Sequence, residues 1–153
     1  MSILILAFLI GIICGLRALM GPAVVSWGAG LGWFSLAGTP LNFMSSVITR
    51  WIFTLAELAE LVNDKLPQTP SRKVPPQFIA RVVMGALAGA TLGAAHESLL
   101  GGLIAGAIGA VVGTLGGAAV RGALAKAFGR DLPAALIEDA VALLGAIFIV
   151  SRV

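Results

Sequence analysis

The chain has 153 residues, of which 59% are hydrophobic and only 11% charged, and its mean hydropathy is +1.04. Soluble domains carry about 25% charged residues, so this composition excludes a soluble globular protein and predicts a single membrane domain over residues 1–153, embedded in the lipid bilayer. The net charge of +3 comes from Lys and Arg near predicted helix ends, a pattern typical of membrane orientation and not of nucleic-acid binding.

Five apolar segments follow one another when runs of about 20 apolar residues are divided at Pro, Gly and charged residues. They cover residues 3–25, 41–62, 78–95, 99–124 and 133–150. The first contains Arg17 and is interrupted by Gly21 and Pro22, so we expect a broken or re-entrant element there. The expected fold class is an all-α integral membrane protein with about five transmembrane helices.

Positively charged residues predict the orientation of these segments. Lys and Arg accumulate on the cytoplasmic side of membrane proteins, and here they occupy the connections after the second and fourth segments. Both connections and the N-terminus are therefore predicted to be cytoplasmic. The residues concerned are Lys65, Arg72, Lys73, Arg81, Arg121, Lys126 and Arg130.

Glycines recur at helical spacing in the third and fourth segments. Small residues at every fourth position let membrane helices approach closely. We expect these segments to pack as a tight hairpin or against a second subunit. The stripes consist of Gly85, Gly89 and Gly93, followed by Gly102, Gly106, Gly109, Gly113 and Gly117.

Three carboxylates share one face of the second segment, because Glu57, Glu60 and Asp64 stand at positions i, i+3 and i+7. Ionised side chains are costly in lipid, so they usually face a protein interior and mark a functional site. The alternative is a helix end at the interface, with solvated acids paired to Lys65 or Arg50. Glu57 lies deepest and favours the functional interpretation.

A second acidic pair, Glu138 and Asp139, lies near the start of the fifth segment. One interpretation is that these acids meet Glu57 and Glu60 across the bundle to bind a cation or relay protons, with Arg17 as charge partner. The alternative is that the dipole at the start of the helix stabilises them.

The arginines of the chain suggest a site for an anion instead of a cation. Arg17, Arg50 and Arg81 would neutralise the acids and leave a polar interior that binds an anionic headgroup or solute. Arg72, which follows a serine, suits contact with such an anion. The sequence is therefore compatible with a bound cation and with a bound anion.

A weak internal similarity relates the first two segments to the last two. Each pair has an arginine-bearing segment followed by an acidic one. This order predicts an inverted repeat, as in transporters whose sites lie between two halves. A shared Ala and Gly composition is the alternative explanation.

Catalytic motifs are missing from the sequence. No Ser-His-Asp arrangement can be built around His96, the only histidine, and Cys14 is the only cysteine, which excludes a Cys-rich metal cluster. We expect no cofactor. A metal-dependent enzyme acting on lipid phosphates is the weaker alternative.

The chain resembles an uncharacterised bacterial membrane family known as domain of unknown function 4126. The resemblance lies in GLRALMGPAVVSWGAGLGW, AELVNDKLPQTPSR, ARVVMGALAG and DLPAALIEDAVA, and above all in the DKLPxTPSR and ALxEDAxA elements. It implies a multi-pass protein of the bacterial inner (cytoplasmic) membrane. It implies no catalytic residue, since the family has no established activity.

Together these features predict a small transporter or channel for an ion or small polar solute. A single five-helix unit leaves little room for a sealed pathway, so we expect a homodimer joined through glycine-rich faces. The alternative is a lipid-binding or scaffold protein whose acids are held in ion pairs. The predicted polar centre consists of Glu57, Glu60, Glu138, Asp139 and Arg17.

Overall fold

The computed structural model of the chain describes residues 2–64 and 74–153, and within them it contains helices and no strand. The side chain of Asp64, and all of Lys65 and Arg72, lie outside the described residues, so the predictions made for them stay predictions. The helices are α1 (Ile3–Leu16), α2 (Met20–Gly30), a short 3-10 helix (Asn42–Ser45), α3 (Val47–Asp64), α4 (Pro75–Ala94), α5 (Leu99–Phe128) and α6 (Asp131–Ser151).

Three helices, α4, α5 and α6, are long and apolar enough to cross a membrane. The shortest has 20 residues, and a rise of about 1.5 Å per residue gives it a length of about 30 Å, the thickness of the hydrocarbon core. Large apolar side chains such as Ile104, Leu144 and Phe148 are exposed on the outside of the bundle. These features indicate an all-helical membrane protein.

The first segment, for which we expected a broken or re-entrant element, consists of two helices. α1 ends at Leu16 and α2 begins at Met20, which leaves residues 17–19 as a break. Pro22 accounts for the break, because its ring would clash with the carbonyl of residue 18 in a continuous helix but is tolerated in a first turn. In the described residues the five predicted segments thus correspond to six α-helices, of which three and not five are candidate membrane spans, and α1, with 14 residues, is shorter than a membrane span.

The second predicted segment starts later than expected, because the 3-10 helix precedes α3. The amphipathic pattern of α3 is inverted relative to that of a soluble helix. Apolar side chains are exposed and Glu57 is buried; the exposed side chains are Trp51, Leu55, Leu58 and Val62. Apolar side chains on the outside and a carboxylate on the inside are the arrangement expected when the outer solvent is lipid. α3 therefore presents its charged face to the rest of the bundle.

Glycines bring the backbones of α1, α4 and α5 into contact, with α5 packed against both of the other helices. A Cβ atom added to Gly89 would lie 2.8 Å from the Cα of Gly106, and one added to Gly93 would lie 3.0 Å from the Cα of Gly102. Farther along α5, the glycines face α1 instead. The contact with α4 involves Gly85, Gly89, Gly93, Gly102 and Gly106, the contact with α1 involves Gly109 and Gly113, and Gly117 lines a groove between α5 and α6.

The structure gives no support to the predicted inverted repeat. The first segment is broken, whereas its proposed counterpart α5 is one continuous helix of 30 residues. The difference has a local cause, since α5 contains no proline equivalent to Pro22.

We predict that Gly106→Ala destabilises the folded protein by about 1–3 kcal/mol, because its added methyl group would collide with the backbone of Gly85 and Gly89. Thermal unfolding in detergent, followed by tryptophan fluorescence, measures this change. Gly116→Ala on the same helix is the matched control, since nothing lies within 4 Å of its added Cβ. Equal stability of the two variants would show that close packing at Gly106 is unimportant.

Candidate functional site

The break between α1 and α2 leaves backbone polar groups inside the helical bundle. Helix ends lack intrahelical partners for these groups, and lipid supplies none. Glu60 of α3 accepts hydrogen bonds from the N–H groups of Ala18, at 2.9 Å, and Leu19, at 3.0 Å. Arg81 of α4 donates through Nη1 to the carbonyl of Gly15 at 3.0 Å. Side chains from two other helices therefore replace the missing helical bonds.

The two residues that satisfy the break also form an ion pair with each other. Nη2 of Arg81 lies 3.7 Å from Oε1 of Glu60. Arg81 is 4% exposed, so this charge is supported by the carboxylate and the Gly15 carbonyl. The pair connects α3 and α4 at the break.

Arg17 connects the break to α6. It follows the last residue of α1 in an extended conformation, with φ −139° and ψ 110°, and its side chain is fully buried. Nη2 of Arg17 donates to Oδ1 of Asp139. The structure thus gives Arg17 the acidic partner that the sequence predicts for it.

Glu138 faces an arginine on α5. Consecutive helical residues project about 100° apart, so Glu138 and Asp139 contact different neighbours. Arg121 Nη1 lies 3.6 Å from Oε1 of Glu138, and the same guanidinium group donates two hydrogen bonds to Asp131, at 2.7 and 3.1 Å. Glu138 therefore belongs to an arginine-centred group at the junction of α5 and α6.

Arg50 takes a different role from the one predicted. Its guanidinium carbon lies 5.0 Å from the ring centroid of Trp27, a cation–π contact. The indole Nε1 of Trp27 donates to Thr54 at 2.8 Å, which fixes the ring against α3. Because Arg50 lies on Trp27, the predicted pairing of Arg50 with the acids is not among the contacts of the described residues.

Glu57 differs from the other acids of the cluster. It is only 5% exposed, and within residues 2–64 and 74–153 neither of its carboxylate oxygens has a hydrogen-bond partner. Its electrostatic neighbours include Glu60, Arg17 and Asp139. Glu57 is therefore a buried carboxylate beside the break, close to residues whose charges already have partners.

We call the buried and partly buried charged residues around the break the break cluster. It joins the connection between α1 and α2 to α3, α4 and α6, and it brings together most of the predicted polar centre. Sequence reasoning missed the bonds from the N–H groups of Ala18 and Leu19 to Glu60 and the bond from Arg81 to a carbonyl, although Pro22 signalled that a break needs such partners. The break cluster consists of Arg17, Glu57, Glu60, Arg81 and Asp139.

The described part of the chain contains no group of three or more His, Cys, Asp or Glu side chains arranged to hold a metal ion. The chemistry of the break cluster is therefore that of ion pairs, hydrogen bonds to backbone groups and one carboxylate without a donor.

Comparison with protein-family models, with curated proteins and with solved structures finds no match to this chain. The resemblance to the bacterial membrane family therefore stays a prediction.

We predict that Glu60→Ala destabilises the protein by about 3 kcal/mol, because it leaves the N–H groups of Ala18 and Leu19 without an acceptor and removes the carboxylate that pairs with Arg81. Hydrogen–deuterium exchange of the peptide that contains the break, read by mass spectrometry, should become faster. Glu60→Gln keeps one acceptor oxygen and should lose less stability. Glu97→Ala, at an exposed turn, is the control. Unchanged exchange in Glu60→Ala would contradict the capping role.

Proposed function

We propose that the protein is a small membrane transporter or channel for an ion or small polar solute, with the helix break and Glu57 as its binding centre. One observation carries the proposal: a buried carboxylate without a donor lies beside a broken helix. Broken helices form the central binding sites of many transporters, because their exposed backbone ends attract charged groups.

The burial of charge supports this function over a purely structural one. Glu57 and its neighbours lie in a bundle whose outer surface is apolar, where each charge is expensive to place. Ion pairs account for Arg17, Arg81 and Glu60. Glu57 has no hydrogen-bond donor among the described residues, which supports a role for it in binding.

Location and orientation belong to the same proposal. We place the protein in the bacterial inner membrane with a cytoplasmic N-terminus, following the family resemblance and the distribution of positive charge. Arg81 and Arg121 lie inside helices and pair with acids, so they contribute less to orientation than the sequence suggested. The remaining positive residues of the two connections are Lys65, Arg72, Lys73, Lys126 and Arg130.

We also propose a homodimer. Most glycines expected to join two subunits are already used in contacts within one chain, but nothing lies within 4 Å of a Cβ added to Gly122 on α5. This open part of α5 is suited to close helix contact. Light scattering of the purified protein in detergent should give twice the mass of the 15.5 kDa chain after subtraction of the detergent, and the mass of one chain would contradict the dimer.

We predict that Glu57→Gln abolishes transport while preserving the fold, because the amide has nearly the same shape as the carboxyl group but carries no negative charge and takes up no proton near neutral pH. The measurement is flux into proteoliposomes across a panel of cations, anions and protons. The variant should fall to the rate of protein-free liposomes. Glu97→Gln, exposed on the turn between α4 and α5, is the matched control and should transport normally.

A second candidate, a lipid-binding or scaffold protein, is favoured by a different observation. A groove of about 320 Å³ between α1, α5 and α6 is lined mostly by apolar side chains, together with Arg121 and Glu138. An acyl chain suits such a lining. This candidate predicts no flux for the unmodified protein and a loss of stability in Glu57→Gln. The metal-dependent enzyme is weaker, because the described residues provide no metal-binding group.

A further inference from the structure

The acids of the protein interior differ in the partners that the structure gives them. Glu60 has two backbone donors and Arg81, and Asp139 has Arg17. Glu57 is as deeply buried as these arginines, yet among the described residues neither of its oxygens has a donor. It is therefore the acid of the break cluster that still needs a positively charged or hydrogen-donating partner.

The neighbours of Glu57 determine what that partner can be. The charged or titratable groups around it in the described structure are Glu60 on the same helix, Arg17 at the break, Asp139 on α6 and Cys14 on α1. Arg17 already forms an ion pair with Asp139. A second carboxylate next to Glu57 opposes its ionisation, as in acid pairs that share one proton.

A proton fits these surroundings better than a metal ion does. Hard cations such as Ca²⁺ take six to eight oxygen ligands, whereas Glu60 and Asp139 already use oxygens in bonds to the backbone and to Arg17. The described residues form no group of three or more metal-binding side chains. A proton requires no further ligand, and it turns Glu57 into an O–H donor that a neighbouring carboxylate can accept.

We propose that Glu57 is a reversible proton-binding site at the helix break, so that the ion handled by the proposed transporter is the proton. The carboxylate takes a proton from a hydronium ion to give a neutral carboxylic acid and water, and the reverse step returns the proton to water. Charge and atoms balance without another reactant. This inference rests on the proposed function for its role in transport, but the proton site itself does not require transport.

The distance to the end of α3 is compatible with proton exchange. Asp64, the last residue of α3, is seven positions beyond Glu57, which corresponds to a rise of about 10 Å along the helix. Glu60 lies between them on the same face. Glu57 therefore lies within two helical turns of the C-terminal end of α3.

Infrared spectroscopy of the full-length protein in lipid nanodiscs tests the site without any assay of transport. A protonated carboxyl group has a C=O stretch that is separate from that of a carboxylate and moves in D₂O. We expect this band in the unmodified protein at neutral pH and expect it to lose the intensity of one carboxyl group in Glu57→Gln. Glu97→Gln, which changes an exposed acid, should leave the band unchanged.

A second variant keeps the test decisive if Glu57→Gln does not fold. Glu57→Asp retains a carboxyl group but shortens the side chain, so the band should persist at a shifted frequency. Absence of a D₂O-sensitive band in the unmodified protein would overturn the proton site. A Glu57-dependent band that appears only after Na⁺, K⁺ or Ca²⁺ is removed would also overturn it, in favour of a metal cation as the ligand.

Flux measured on the same preparations separates this inference from the proposed function. A Glu57-dependent band together with flux driven by a pH gradient supports both. The band without flux for any solute leaves the proton site standing and contradicts transport. Flux without a Glu57-dependent band leaves transport standing and overturns the proton site.

Discussion

The architecture depends on one constraint: a helix is interrupted inside the bundle. Pro22 disfavours a continuous helix through residues 17–19, and the freed backbone groups need partners from elsewhere. Glu60 and Arg81 provide them, and each is then charge-compensated by the other. The position of α3 and α4 against the break follows from this requirement.

Close helix packing is what allows the long charged side chains to reach the break. α1, α4 and α5 approach through glycines whose hydrogen atoms leave no space for a methyl group. Because α1 lies directly against α4 and α5, Arg81 of α4 can reach the last turn of α1. Glycine packing therefore brings the helices close together. The charged side chains of the break cluster then provide hydrogen-bond partners for the backbone groups that this packing buries.

The charged residues around the break differ in whether they have partners, and the proposed function rests on this difference. An interior in which every charge is paired would fit a purely structural role, because buried charges are normally paired. Arg17, Asp139, Glu60 and Arg81 fit that description, whereas Glu57 does not. The difference between Glu57 and Glu60, which stand one turn apart on the same helix, is a difference of neighbours and not of residue type.

The sequence by itself determined the membrane class, the extents of α4, α5 and α6, the glycine stripes and the approximate place of the break. These features are local, because hydropathy, helical periodicity and the geometry of proline act over a few residues. It also placed Glu57 and Glu60 on one helix face. Only the tertiary structure decided that Glu60 accepts bonds from the connection between α1 and α2, that Arg50 lies on Trp27 and that Glu57 has no donor among the described residues. Those outcomes depend on how helices far apart in the sequence dock, which periodicity along one helix does not specify.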